Sequence, residues 1–218
     1  WNAERKKIII DSRVKTANLI FNAIKENSIS IKGFISASGI GYYGAVTTTT
    51  IFKETDTVGN DFLGDVCKKW EDAAHQFSTE SIPVTILRTG IVLAKKGGAL
   101  DKMKTPIISP LGSGKQYLAW IHIDDLCQMY IQSIEADLTG IYNAVAPEQH
   151  TSITFSKTLA ESIKKPYLGI GVPGFMLKLL FGELAVILLE GSRISTKKIE
   201  KNGFSFRFKT LKKALNNL

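Results

Sequence analysis

The stretch "KGFISASGIGYYG", residues 32–44, decides the fold of this chain. Its first half is a short apolar run that ends in small residues and glycines, which is typical of a buried strand followed by a turn. Helical patterns flank it: residues 3–27 carry apolar side chains at helical spacing, and so do residues 60–78, with Asn60 or Asp61 as N-cap. A strand between two amphipathic helices predicts one unit of an α/β fold.

The alternation of strands and helices continues along the chain. Strands are predicted at 83–88, at the start of 119–136 and at 140–146, and helices in the rest of 119–136, capped by Asp124 or Asp125, and at 152–165. Such alternation favours a parallel sheet. Strand signals weaken after residue 147, so we expect an α/β domain over residues 1–147 and a smaller, mostly helical lobe over residues 148–218.

The composition is that of an ordinary globular protein. The chain has 218 residues, of which 44% are hydrophobic, enough for one sizeable core. Its two cysteines, Cys67 and Cys127, lie in apolar helical patterns, which favours reduced thiols in a cytoplasmic protein over a disulfide framework or a metal site. The most apolar segment, residues 175–191, contains three charged side chains, so it predicts a buried or half-buried helix and not a membrane span.

The net charge of +8 is concentrated at the C-terminal end. Residues 1–190 hold 20 basic and 19 acidic side chains, whereas residues 191–218 hold eight basic side chains and one acidic one. A basic segment of this kind can contact nucleic acid, but it is more often a solvated face, and a solvated face is our interpretation. The alternation of Phe204, Phe206 and Phe208 predicts a strand that faces a core.

Several long stretches resemble one enzyme family. They are similar to the atypical extended short-chain dehydrogenase/reductases, and more narrowly to their epimerase-like branch, which carries an extra C-terminal domain. The stretches that carry the resemblance are "WNAERKKIIIDSRVKTANLIFNAI", "FISASGIGYYG", "DFLGDVCKKWEDAA", "VTILRTGIVLAKKGGAL", "PLGSGKQYLAWIHIDDL", "YNAVAPEQHT" and, for the extra domain, the final 37 residues from Gly182. The resemblance implies a Rossmann-type parallel sheet and an NADP cofactor, with NAD less favoured.

One family feature has no counterpart in the chain. Family members begin with a Gly-rich turn after their first strand, where backbone amides hold the cofactor pyrophosphate. No G-x-x-G-x-x-G stands in this sequence. The resemblance therefore implies that this segment and the first strands are missing before Trp1, which would leave a strand edge exposed. Association as a homodimer is one way to cover such an edge.

The resemblance implies catalytic residues in only some of the expected positions. Most short-chain dehydrogenases use a serine, a tyrosine and a lysine to move the substrate proton. Ser38 is the candidate serine, but Leu63 and Cys67 stand at the tyrosine and lysine positions, and neither can do that work. Tyr42 and Tyr43, on the Gly-flanked turn just after Ser38, are the alternative candidates for the acid or base.

Further residues are implied in binding. By position, Arg13 matches an arginine of the family implicated in binding NADP, and Val92 matches a cofactor contact; Ser38 is expected at the cofactor as well. The alternatives are a surface ion pair for Arg13 and a core position for Val92. Lys115, in a Gly-rich loop, and His122 are candidates for the substrate, although His122 also fits a structural histidine in a strand.

The resemblance thus implies an NADP-dependent, epimerase/dehydratase-like oxidoreductase that acts on an unidentified small molecule, for which a sugar-nucleotide-like compound is the family's example. The replacement of the tyrosine and lysine by Leu63 and Cys67 keeps a second interpretation open, namely a non-catalytic NADP(H)-binding or sensor protein.

Overall fold

The computed structural model describes all 218 residues. The helices are α1 (Ala3–Glu26), α2 (Phe62–His75), α3 (Gly98–Met103), α4 (Ile123–Glu135), α5 (Ser152–Ser162), α6 (Gly174–Phe181), α7 (Ala185–Leu189), α8 (Lys197–Lys201) and α9 (Leu211–Leu215). The strands are β1 (Phe34–Gly39), β2 (Ile51–Phe52), β3 (Val84–Thr89), β4 (Ile91–Leu93), β5 (Trp120–His122), β6 (Gly140–Ala144) and β7 (Arg193–Ile194). The predicted α/β fold with parallel strands is confirmed.

The main sheet has three parallel strands in the order β1-β3-β6, with β1 at one edge. Its register pairs Ser38 with Arg88, and Arg88 with Asn143. Paired residues of neighbouring strands lie on the same face of a sheet. Three polar residues from distant parts of the sequence therefore form one row across the sheet. Two smaller parallel pairs, β4 with β5 and β2 with β7, extend the structure toward the C-terminal segment.

The core consists of several apolar clusters around the sheet. One of them packs α1 and α2 on β1 and β3, where Phe77 is fully buried, stacks on Phe34 at 3.7 Å between ring centroids and contacts Phe21 edge-on. Another joins Trp120 and Leu93 to Phe155 and Phe208, which follow residue 147. Because that cluster takes side chains from both sides of residue 147, the two-domain division stays a prediction.

Two local predictions are wrong. The N-cap of α4 is His122, whose Nδ1 accepts from the backbone N–H of Asp124, and not Asp124 or Asp125. Residues 204–208 are not a strand, although their three phenylalanines are buried as expected. The backbone N–H groups of Arg207 and Phe208 donate to the buried Asp125 carboxylate at 2.8 and 3.0 Å, so they are not available for a strand ladder.

The apolar segment 175–191 also differs from its prediction. It is divided between α6 and α7 at Gly182, whose φ of +56° suits glycine. Its side chains are more exposed than we expected: Leu179 is 85% exposed, and Phe175 and Leu180 are each 72% exposed. None of the helices combines the length and the apolar character that a membrane crossing requires.

Candidate functional site

A cavity of about 700 Å³ opens at the carboxyl ends of β1 and β3. Its walls come from α1, from the turn after β1, from α2, and from the segments 117–119 and 187–194. Open parallel sheets bind their ligands at this end of the strands, because the turns there leave a crevice lined by backbone and by helix starts. Position and size therefore mark this cavity as the candidate site.

Two glycines after β1 allow α2 to approach the turn closely. A Cβ atom on Gly41 would lie 3.3 Å from Leu63 Cβ, and one on Gly39 would lie 3.7 Å from Cys67 Sγ. Leu63 and Cys67, which the family resemblance aligns with its tyrosine and lysine, both line the cavity. The wall at these positions is therefore apolar and carries no group that exchanges protons readily near neutral pH.

The Cys67 thiol is buried, and burial raises its pKa to about 11. Cys127 is exposed, so the chain contains its own reference thiol. We expect iodoacetamide at pH 8 to label Cys127 readily and Cys67 hardly at all, because a thiol with that pKa is only about one part in a thousand thiolate at this pH. Labelling of Cys67 should increase as the pH rises toward 11.

Mass spectrometry of tryptic peptides measures both labelling rates in one sample. Labelling in 6 M urea is the control, since both thiols should then react. Comparable rates for the two cysteines in the folded protein would contradict the burial of Cys67.

Behind the cavity lies a buried ion pair between Glu71 of α2 and Arg88 of β3. Arg88 Nε and Nη2 donate to the two carboxylate oxygens of Glu71 at 2.9 and 2.8 Å, and the side chains are only 1% and 4% exposed. The Ser38 hydroxyl donates to Glu71 Oε1 at 2.7 Å. Burial alone would lower the pKa of Arg88, but hydrogen bonding to Glu71 and the Glu71 charge outweigh burial and hold it above the ordinary value.

The two tyrosines of the turn contact the same arginine. The Tyr43 hydroxyl accepts from Arg88 Nη1 at 3.0 Å and donates to Asn143 Oδ1 at 2.7 Å, and Tyr43 is among the residues that line the cavity. Burial raises the pKa of Tyr43 to about 12, although Arg88 acts against this. The Tyr42 ring stacks on the Arg88 guanidinium, with Cζ 3.3 Å from the ring centroid. Ser38, Tyr42 and Tyr43 are thus brought together around Arg88, while only Tyr43 lines the cavity.

Arg13 lines the cavity from α1. Its Nη1 donates to the Ile9 carbonyl at 2.7 Å, and its guanidinium lies 4.8 Å from the centre of the Trp70 ring. Its Nε is buried and has no hydrogen-bond partner. A buried donor without a partner is costly, so this guanidinium is suited to receive an anionic ligand.

The other three predicted binding residues lie outside the cavity wall. Val92 packs against the core, although its neighbour Ile91 lines the cavity. Lys115 is exposed. His122 is buried, stacks on Phe208 at 3.8 Å between ring centroids, and has its pKa lowered by burial even though Asp124 and Asp125 act in the opposite direction.

Sequence reasoning expected the site between the sheet and the C-terminal lobe, but it did not name the residues by which the C-terminal segment lines this cavity. Tyr117, Glu190 and Ser192 all line it. A Cβ on Gly191 would lie 2.2 Å from the Tyr117 carbonyl oxygen, so the two backbones can meet only because residue 191 is glycine. A lone glycine was the only signal of this contact, whereas Ser38, Arg88 and Asn143 could have been found together, because each lies in or ends a predicted strand.

Comparison with known proteins gives a consistent result. Residues 172–218 match a family described as a domain of unknown function (DUF1731). The chain is 34% identical over 226 residues to an epimerase family protein of Staphylococcus aureus, covering all of this chain and 74% of that protein. It is 33% identical over 223 residues to the chloroplastic SDR39U1 homologue of Arabidopsis thaliana, an epimerase family protein, but spans only 63% of its length.

A solved structure is similar over the whole chain. It is the crystal structure of the human epimerase family protein SDR39U1 (isoform 2) with NADPH, which superposes with a TM-score of 0.92 at 30% identity and covers 100% of this chain and 75% of that one. The similarity therefore includes both the α/β part and the C-terminal segment that completes the cavity.

Proposed function

Since this chain belongs to the epimerase family of short-chain dehydrogenase/reductase proteins, we propose that it binds NADP(H) in the cavity at the carboxyl ends of β1 and β3. It would act there as an oxidoreductase on a small molecule held between the sheet and the C-terminal lobe. The observation that carries the proposal is the guanidinium of Arg13 in the wall of that cavity, with Nε buried and without a partner. The human relative with bound NADPH supports the choice of cofactor.

The residues present fit such a cofactor. Arg13 and Arg5 are the cations of the cavity wall, and both come from α1. NADP differs from NAD by one additional phosphate group, and an arginine offers paired donors to phosphate oxygens, so this wall favours NADP. Gly39 and Gly41 also line the cavity, so at these two positions the turn after β1 presents backbone and no side chain.

When bound, the cofactor would supply or accept a hydride. The chain's own residues would hold and orient the substrate. Tyr43 is the candidate for proton exchange, because it is the only one of Ser38, Tyr42 and Tyr43 that lines the cavity. Its hydroxyl contacts a cation, Arg88, as the tyrosine of the usual pair contacts a lysine. Ser38 and Tyr42 would act by fixing the position of this group, through Glu71 and Arg88 respectively.

A specific observation favours a second candidate function, that of a non-catalytic NADP(H)-binding or sensor protein. The Tyr43 hydroxyl already donates its proton to Asn143, and Leu63 and Cys67 offer no replacement near neutral pH. This candidate predicts NADPH binding without turnover of any carbonyl or alcohol substrate. The first candidate predicts turnover that is lost in Tyr43→Phe with NADPH affinity retained.

We expect Arg13→Ala to weaken NADPH binding by about tenfold to a hundredfold, since a charged hydrogen bond to phosphate contributes about 1.5–3 kcal/mol. Binding of NADH should weaken less, because NADH lacks the additional phosphate. Fluorescence titration or calorimetry on the protein as its gene encodes it measures both affinities.

The matched control for this prediction is Lys15→Ala, on the same helix. Lys15 is exposed and pairs with Asp11, so its loss should leave both affinities unchanged. Equal loss of NADPH and NADH affinity in Arg13→Ala would contradict a contact with the additional phosphate. Failure of the wild type to bind either dinucleotide would contradict the whole proposal.

Two further proposals concern setting and association. The reduced, unpaired cysteines favour a cytoplasmic location, whereas the Arabidopsis relative is named as chloroplastic. The strand β1 lies at the sheet edge, so association as a homodimer remains one way of covering it.

A further inference from the structure

The part of the cavity wall formed by residues 117–119 and 187–194 is its substrate end in the proposed function. The charges there restrict the class of substrate. We infer that the substrate is a small, largely apolar molecule without phosphate or carboxylate groups, which presents a hydroxyl or a protonated amine to Glu190. This inference rests on the proposed function, since it assumes that the cofactor takes the α1 side of the cavity. It differs from the sugar nucleotide that the family resemblance implies.

Charge is distributed unevenly within the cavity. Its only cations, Arg5 and Arg13, lie on α1, where the cofactor phosphates would engage Arg13. The part of the wall formed by residues 117–119 and 187–194 has Glu190 as its only charged side chain. Around Glu190 this wall is apolar, with Leu118, Ile187 and Ile194. A ligand on this side therefore meets hydrocarbon, the polar residues Tyr117 and Ser192, and one carboxylate.

An adjoining cavity of about 540 Å³ shares Glu190 with the first cavity. Its charged lining residues are Lys178 against Asp61, Glu183 and Glu190. Asp61 caps α2 by accepting from the Gly64 N–H at 2.9 Å, Glu183 pairs with Lys6, and Lys178 forms no ion pair. The extension of the substrate end thus has an excess of negative charge.

A sugar nucleotide would bring a diphosphate into this region. Its two phosphate charges would lose water, would find Lys178 as the one lining cation of the adjoining cavity, and would face Glu190 directly. Desolvation of unpaired charge and repulsion between like charges both oppose such binding. A neutral or cationic apolar molecule avoids both costs and buries hydrocarbon against the isoleucine and leucine side chains.

Glu190 is available to bind such a donor group. It forms no ion pair, and its carboxylate accepts a hydrogen bond from the Thr47 hydroxyl at 2.5 Å. An ionised carboxylate accepts up to about four hydrogen bonds, so capacity for a ligand hydroxyl or amine remains. The close approach of Gly191 to the Tyr117 backbone holds Glu190 at this wall.

A matched set of probes tests the inference on the protein saturated with NADP. The probes are cyclohexylmethylamine, cyclohexylmethanol, cyclohexanecarboxylate and UDP-glucose, and calorimetry measures their affinities in wild type, Glu190→Gln and Glu26→Gln. Glu26 is an exposed carboxylate at the end of α1, outside both cavities, and serves as the control. We expect the amine and the alcohol to bind in preference to the carboxylate and UDP-glucose. Glu190→Gln should weaken the amine about tenfold, the loss expected for one charge-assisted contact, while Glu26→Gln leaves it unchanged.

Two results would overturn the inference: UDP-glucose or the carboxylate binding as tightly as the amine or more tightly, or amine affinity that does not respond to Glu190→Gln. Both are read on protein already shown to bind NADP, so they leave the proposed function intact. Failure to bind NADP at the outset would instead count against the proposed function.

Discussion

Arg88→Met is expected to lower the free energy of unfolding by about 3–5 kcal/mol, because removal of one partner leaves the other charge buried and unpaired. Glu71 would keep only the hydrogen bond from Ser38, in surroundings where its side chain is 4% exposed. Tyr43 would lose a donor as well. Urea unfolding, followed by tryptophan fluorescence and circular dichroism, measures the change.

A matched control is Arg207→Met, since Arg207 is an exposed arginine that lies 3.7 Å from Asp124. Exposed pairs contribute at most about 1 kcal/mol, so this variant should unfold nearly as the wild type does. The double variant Glu71→Gln/Arg88→Met should recover part of the loss, because no uncompensated charge then remains. A single Arg88→Met variant as stable as the control would show that the pair is not buried as described.

Asp125→Ala is expected to lower the free energy of unfolding by about 3 kcal/mol, since it leaves two backbone N–H groups without their acceptor. Those groups belong to Arg207 and Phe208, and the carboxylate that they contact is 2% exposed. The segment after α8 should loosen first, because Asp125 joins it to α4. Urea unfolding gives the total loss, and hydrogen exchange at Phe208 reports the local one.

The neighbouring residue supplies the control for Asp125→Ala. Asp124 is 51% exposed and contacts His122 and Arg207 only at 3.8 and 3.7 Å, so Asp124→Ala should change stability by less than about 1 kcal/mol. Similar losses in the two variants would contradict the role given to the Asp125 carboxylate.

The elements that could be predicted are those with a complete local signal. The strand predicted at 32–38 is β1 (Phe34–Gly39), and the helix predicted at 3–27 is α1 (Ala3–Glu26). Both have an unbroken pattern and a clear boundary, with Asn2 capping α1 through the Arg5 N–H. Local patterns were sufficient because local packing and capping fix these elements.

The predictions that failed depend on distant partners. Residues 204–208 have the alternation of a strand, but their donors are taken by a carboxylate about 80 residues earlier in the sequence. In the same way, the role of Glu190 in the cavity depends on the fold of the C-terminal segment, for which the sequence offers only a glycine. The periodicity of a sequence identifies the apolar face of each helix or strand, but it does not identify the element against which that face packs.

The row of Ser38, Arg88 and Asn143 across the sheet also has a consequence for how the chain folds. A slip of one residue in β3 would turn Arg88 to the opposite face and leave Glu71 buried without its counter-ion, and a slip in β1 or β6 would remove the Ser38 contact with Glu71 or the Asn143 contact with Tyr43. Misaligned pairings are therefore penalised more strongly than apolar strands alone would penalise them. Folding should be slower as a result, because the row forms only after segments about 50 residues apart in the sequence have come into contact, and non-local contacts slow folding.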